Sequence, residues 1–218
     1  MKNLIEEANL LETLGFVVPL PAYFQKRLDE EILLQEFKKK HLLLRPGEVC
    51  KRLYFVSSGF LRAYFIDEDG KECTTWFAGK GDLMISAYSF FTQQPAYEYI
   101  EVLEDCKLQS LTWKQINSFY ADFREANLLG RIFIEKYYIS SEERAIFLRT
   151  NRPEHRYNIL MATHPELEQQ TTQSNIASYL AISRETLSRI RRKKLDQDRK
   201  RRMRNNNTFK STKGRDVI

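Results

Sequence analysis

Apolar positions in the first part of the chain recur at helical spacing. Leu4, Ile5, Leu10, Leu11 and Leu14 fall on one face, and Ile32, Leu33 and Phe37 on another, with Pro19 and Pro21 breaking the segment between them. From Lys38 the pattern shortens. The runs His41–Leu44, Leu53–Val56, Phe60–Ile66, Cys73–Phe77, Tyr97–Leu103 and Lys107–Thr112 are rich in β-formers. Between them stand Arg45-Pro46-Gly47-Glu48, Ser57-Ser58-Gly59, Asp67-Glu68-Asp69-Gly70, Gly79-Lys80-Gly81-Asp82 and Glu104-Asp105. Short strands with turns at about 8–12-residue intervals predict a sandwich or barrel, with a jelly roll (double-stranded β-helix) the expected version. After Thr112 the period lengthens again, to a short helix over Trp113–Tyr120 and a long one from Phe123 to Arg149. The long segment has no proline and only Gly130, and Leu128, Leu129, Ile132, Phe133, Ile139, Ile146 and Phe147 recur every three or four positions. Its ~40 Å length, at about 1.5 Å per residue, exceeds what a β domain of this size can cover. The excess seam is expected to pack on a second copy of the chain through Leu128, Leu129, Ile132, Ile139 and Ile146. Asn151-Arg152-Pro153 ends that helix, His155–Thr163 restarts one, His164-Pro165 stops it, and a helical pair follows.

The expected class is therefore α+β. Residues 1–122 read as a jelly-roll effector domain with N-terminal helices, 123–150 as a dimerisation helix, 151–195 as a helix-turn-helix domain, and 196–218 as a basic tail, either a continued helix or a disordered arm.

Charge sharpens this division. Residues 1–150 hold 19 Lys/Arg and 22 Asp/Glu, a net of 19 − 22 = −3; residues 151–218 hold 16 and 7, a net of 16 − 7 = +9. A near-neutral front on a basic back suits two partners, the second a polyanion. No stretch reaches the ~18–20 apolar residues of a membrane span, and Glu6, Glu7 and Glu12 interrupt anything resembling a secretory leader. Cys50, Cys73 and Cys106 are too scattered for a disulfide framework and fit a cytoplasmic location. His41, His155 and His164 are isolated, and three separate cysteines cannot hold an iron–sulfur cluster, so neither metal nor cofactor is expected. With no His-x-His, Ser-His-Asp or phosphate-cradling Gly loop, an enzyme is not expected either.

Residues 171–192 carry the chemistry. Thr172 is placed to cap a helix over Gln173–Leu180, with Ile176, Ala177 and Leu180 on one face. Ala181-Ile182 forms a turn and Ser183 caps a second helix, in which Leu187 and Ile190 face inward while Arg184, Glu185, Ser188, Arg189 and Arg192 remain outside. Arginine pairs bidentately with guanine and glutamate accepts from cytosine N4, so Arg184, Glu185 and Arg189 are the candidate base readers. Thr172, Gln173, Ser183, Thr186, Ser188 and Arg192 suit backbone phosphates. A carboxylate aimed at DNA repels phosphate unless a base compensates it, which favours sequence reading over nonspecific adhesion.

The run Ile176-Ala177-x-x-Leu180-x-Ile182-Ser183-Arg184-Glu185-Thr186-Leu187-Ser188-Arg189 closely resembles the helix-turn-helix of Crp/Fnr-type regulators, relatives of the cAMP receptor protein. Leu53-Tyr54-Phe55-Val56-x-x-Gly59-x-x-Arg62 and Gly81-Asp82-Leu83 look like that family's effector-domain landmarks. The resemblance implies a homodimer on a roughly palindromic duplex site, with RNA polymerase a further candidate partner, and it assigns Arg184, Glu185 and Arg189 to bases. Two features depart from the family. Ala181 stands where a turn glycine is common, and Leu195–Ile218 lacks the alternation of a β-hairpin wing. A third departure concerns the effector. Cyclic-nucleotide binders carry Gly-Glu and Arg-Ser, where this chain has Ile85-Ser86 and approximately Ala96-Tyr97-Glu98. Usual cAMP or cGMP binding is not expected, and an unidentified small molecule near Leu83, Met84, Ser86, Tyr97 and Tyr99 is the alternative. A regulatory ligand- or protein-binding module that never touches DNA, and a constitutive regulator with a vestigial effector domain, are the competing readings.

Overall fold

The computed structural model describes residues 7–212; Leu4 and Ile5 lie outside them. Helices α1 (Leu10–Val17) and α2 (Ala22–Glu31) lead into strands β1 (Leu33–Phe37), β2 (Leu42–Leu44), β3 (Arg52–Ser58), β4 (Leu61–Ile66), β5 (Glu72–Ala78) and β6 (Leu83–Met84). Helix α3 (Ala87–Thr92), strands β7 (Tyr99–Val102) and β8 (Cys106–Thr112) and helix α4 (Trp113–Asp122) follow. Then come the long α5 (Arg124–Thr150), α6 (Pro153–Thr163), the short α7 (Leu167–Gln170), α8 (Gln173–Tyr179) and α9 (Arg184–Thr212).

Two four-stranded antiparallel sheets, ordered β1-β8-β3-β6 and β2-β7-β4-β5, close face to face as a jelly roll. Alternation along each strand sends one set of side chains inward, and Val56, Leu61, Met84, Phe90, Ile100, Val102 and Leu108 form the dry interior. Cys50 and Cys106 are buried in this core and Cys73 is half-buried. The outer face of the first sheet is covered by the N-terminal helices and α4–α5, where Leu10, Phe24, Leu28, Phe55, Phe119, Phe123 and Leu129 pack together.

One local expectation is corrected. Ile32, Leu33 and Phe37 do not continue a helix: α2 ends at Glu31, and Leu33–Phe37 pairs with Ser110–Cys106 of β8. The apolar spacing suited either state, and the unpaired edge of β8 decided for the strand.

Two glycines answer to close approach. Gly59 turns β3 into β4 at φ +95°, and a Cβ there would lie 2.6 Å from the Asp105 carbonyl oxygen. Gly130, inside α5, leaves room for the Tyr120 ring laid across the helix.

Candidate nucleic-acid interface

The C-terminal unit is built on a small apolar core. Tyr157 and Leu160 of α6 and Leu167 of α7 meet Ile176, Ala177 and Leu180 of α8 and Leu187 and Ile190 of α9, all buried. Thr172 caps α8 by accepting from the Asn175 amide at 3.2 Å. Ser183 caps α9, accepting from the Thr186 amide at 3.1 Å. Between them the Ile182 amide returns to the Ala177 carbonyl, and Ala181 sits at φ +51°. That conformation is strained for any residue with a Cβ, and Ala181 is exposed, so nothing repays the strain by packing. Ala181→Gly is expected to stabilise the protein by up to about 1 kcal/mol, measured as a higher denaturant midpoint. An unchanged or lower midpoint would refute the strain.

With the apolar positions turned inward, helical phase leaves Arg184, Glu185, Ser188, Arg189 and Arg192 exposed on one side of α9. Together with Gln173 at the start of α8 they line an open concavity of ≈ 670 Å³. Arg184, Arg189 and Arg192 make no ion pair among the described residues. The Glu185 carboxylate accepts from its own backbone amide and from the Ser183 hydroxyl, and these bonds, with Arg184 beside it, hold its pKa below the ordinary value. It stays an acceptor at neutral pH, folded over the helix N-terminus. Thr172 and Ser183 are exposed and Thr186 is half-buried.

The opposite side of α9 is spent on the protein itself. Arg191 pairs with Glu168 of α7 at 3.1 Å, Lys193 with Glu154 of α6 at 2.8 Å, and Lys194 lies over the Tyr157 ring. Tyr157 donates to Glu168 at 2.9 Å. Burial first, then the Glu168 carboxylate, pushes its hydroxyl up to about 12. Helix α9 runs to Thr212 without an intervening strand; residues 213–218 of the basic segment lie outside the described residues.

Along α5, Ile139 and Ile146 are more than half exposed, and Leu128 lies at the edge of exposure. Ile132 is half-buried against the chain's own core. Leu129 is buried among Phe24, Phe119 and Phe123 and presents nothing to a second copy. The face available to a partner therefore excludes it. Ile134, Tyr137 and Tyr138 are exposed beside this seam.

The five expected effector residues are not brought together. Successive strand residues point to opposite faces, so Met84 enters the sandwich interior while Leu83 packs under the N-terminal helices. Ser86 is buried, Tyr97 is exposed against Tyr88, and Tyr99 stacks on Tyr64. Glu98, which stands near where cyclic-nucleotide binders carry Arg-Ser, bonds to the hydroxyls of Ser86 and Thr75, and burial raises its pKa. A carboxyl whose folded pKa exceeds its unfolded one favours the fold most when protonated. Stability is then lost as pH rises from the ordinary carboxylate range through the raised value. Glu98→Gln should therefore match the parent in thermal midpoint at pH 4 and exceed it at pH 8; equal midpoints at both would sink the assignment.

Residues 34–123, from β1 through α4, match the cyclic nucleotide-binding domain family. Solved structures with the same fold include FixK2 from Bradyrhizobium japonicum, at 17% identity and a TM-score of 0.65, with 77% of this chain and 86% of that one covered. A protein described as a transcriptional regulator of the Crp/Fnr family, from Eubacterium rectale, aligns at 18% identity and a TM-score of 0.66, covering 83% and 86%. CLP from Xanthomonas campestris, a c-di-GMP-responsive global regulator, aligns at 16% identity and 0.64, covering 79% and 90%. No curated protein matches by sequence. The front half is thus a cyclic nucleotide-binding-type β-roll. The chain as a whole, from that roll through the long helix to the helix-turn-helix, has the fold of the Crp/Fnr transcription regulators.

Proposed function

We propose that this protein is a DNA-binding transcription regulator that acts as a homodimer on a roughly palindromic operator. Residues 184–192 of α9 lie in the major groove. One observation carries the reading: Gln173, Arg184, Glu185, Ser188, Arg189 and Arg192 converge on one open concave surface, while the neighbouring cations Arg191 and Lys193 are bound to the protein's own carboxylates. A merely solvated basic helix has no reason to sort its charges this way. Arg184 and Arg189 read guanine edges, and Glu185 swings from its cap to accept from cytosine. Thr172, Gln173, Ser183, Thr186, Ser188 and Arg192 fix the backbone.

Two chains meet along the exposed part of α5, through Leu128, Ile132, Ile139 and Ile146. Ile132, Ile139 and Ile146 repeat at intervals of seven, and isoleucine at one seam position of a heptad favours two strands. No described helix is long and apolar enough to cross a membrane. The β-roll supplies regulation rather than catalysis. A cyclic nucleotide bound in the usual way is not its ligand, because Glu98 brings an acid toward the region where such a phosphate needs a cation. An effector acts only through its differential affinity for the two arrangements of the DNA-binding heads.

Selection of bound sequences from a random duplex pool, with and without a cell extract of small metabolites, tests this reading. The expected result is an inverted repeat with centres one helical turn apart. Recovery of no consensus, with binding that rises only as salt falls, would replace it with a module that does not read DNA.

A further inference from the structure

The helix-turn-helix is docked on the chain's own β-roll: Phe60, Phe77 and Leu103 of the roll share an apolar cluster with Ile176, Tyr179 and Leu180, and beside it lies a specific polar contact centred on Arg62. This arginine interrupts the apolar run of β4 and its side chain is only 6% exposed. Its guanidinium pairs with Glu101 of β7 at 2.6 Å and Glu72 of β5 at 2.7 Å, and lies 4.0 Å over the Tyr64 ring. The remaining reach of Nη1 goes out of the β-roll altogether, donating at 2.8 Å to Oδ1 of Asn175 on α8. Asn175 is itself buried and donates its amide to Thr171.

Beside it, α8 caps the open edge of the second sheet. Strand β5 is terminal in that sheet, so its outward N–H and C=O groups have no strand to pair with. The Thr74 amide donates to the Ser178 hydroxyl at 2.8 Å, and that hydroxyl donates in turn to the Glu72 carbonyl. Arg144 of α5 completes the junction. It donates to the carbonyls of Thr74 and Tyr179 and lies 3.6 Å over the Tyr179 ring. A buried cation held by two carboxylates has a fixed orientation, because leaving either unpaired is costly. Asn175 is therefore offered a donor of fixed direction. The Thr74 hydroxyl oxygen at this junction is buried without a protein partner.

We propose that Arg62 is a positioning residue for DNA reading: it fixes the direction in which the helix-turn-helix is presented relative to the β-roll. The Asn175 and Ser178 contacts form the releasable half of that coupling. The docked state leaves the concave face of α9 open, with Arg184, Arg189 and Arg192 exposed, so the contact orients the head rather than blocking it. The DNA part of this inference rests on the function proposed above; the docking part does not.

The test uses the full chain carrying Asn175→Ala and Ser178→Ala together, which leaves the Arg62–Glu72–Glu101 cluster intact, and separately Arg62→Met. Hydrogen exchange is read first, without DNA. The double variant is expected to speed exchange of the Thr74 amide at least tenfold, with the Ile100 and Leu108 amides of the interior strands unchanged. Unchanged Thr74 exchange would overturn the docking. In Arg62→Met, faster exchange confined to β5 and α8 supports the positioning role. Equal loss of protection through β4, β7 and β8 would make Arg62 a sheet-holding residue and end the proposal. Binding to the selected operator is read second, and should weaken about tenfold in the double variant with random-duplex binding unchanged. Equal affinity there, with released exchange, would remove the role in reading while leaving the docking. A parent chain that binds no duplex would instead refute the proposed function, and the exchange result would stand apart from it.

Discussion

Replacing Ile139 and Ile146 together with arginine is expected to leave a folded monomer that no longer holds a palindromic operator. Each side chain is more than half exposed in the single chain, so neither contributes to the core of its own domain, and arginine is at least as good a helix former as isoleucine. The fold should survive intact. In the proposed dimer all four isoleucines leave water together, at about 1 kcal/mol each for side chains already partly covered. Their loss alone weakens association roughly a thousandfold, and four facing cations add repulsion that is strongest at low salt. A monomer offers one recognition helix, so the free energy from the second half-site disappears with the partner. Sedimentation of parent and variant across concentration, beside operator titration, checks both steps. A variant that sediments as the parent does would remove α5 as the interface. The Leu129→Ala variant makes the contrast: Leu129 lies in the chain's own core, so it should lose about 2–5 kcal/mol of stability and keep whatever oligomeric state the parent has.

What could be read in advance follows from the range over which each signal acts. Strands β3, β4, β5 and β8 were legible because alternation and turn residues are local. So were the Thr172 and Ser183 caps, which act across three residues. Strand β1 was not, since Ile32, Leu33 and Phe37 satisfy a helical period as well, and its partner lies 77 residues away at Ser110. The effector residues are dispersed for a geometric reason. Leu83 and Met84 are neighbours in sequence and face opposite sides of a sheet, and no count of aromatics reveals that Tyr97 and Tyr99 turn away from the interior. Arg62 was visible only as a landmark of the Crp/Fnr resemblance. A lone cation between Leu61 and Ala63 announces that it must find carboxylates. Which ones, and that an amide 113 residues onward would share it, depends on how the domains dock.

The recognition helix offers the sharper test of base reading, because the sequence Arg189-Ile190-Arg191-Arg192 presents three arginines that composition cannot tell apart. Helical phase separates them. Arg189 and Arg192 share the open face with Arg184, Glu185 and Ser188, whereas Arg191 turns back to Glu168 and supports the hydroxyl-carboxylate pair of Tyr157. Arg189→Ala should therefore cost about 1–3 kcal/mol at the selected operator, roughly 5- to 150-fold in affinity, and relax preference at one base pair in each half-site. Its effect on random duplex should be small. Arg192→Ala should weaken operator and random DNA alike and reduce the salt slope by about one charge per chain. Arg191→Ala should leave sequence preference untouched and lower the unfolding midpoint, because it breaks a half-buried contact between α7 and α9. Titrations of all three variants at several salt concentrations, against operator and scrambled duplex, distinguish the roles. If Arg189→Ala loses equal affinity on both duplexes, the side chain meets phosphate, and the concave face of α9 positions the protein on DNA without reading it.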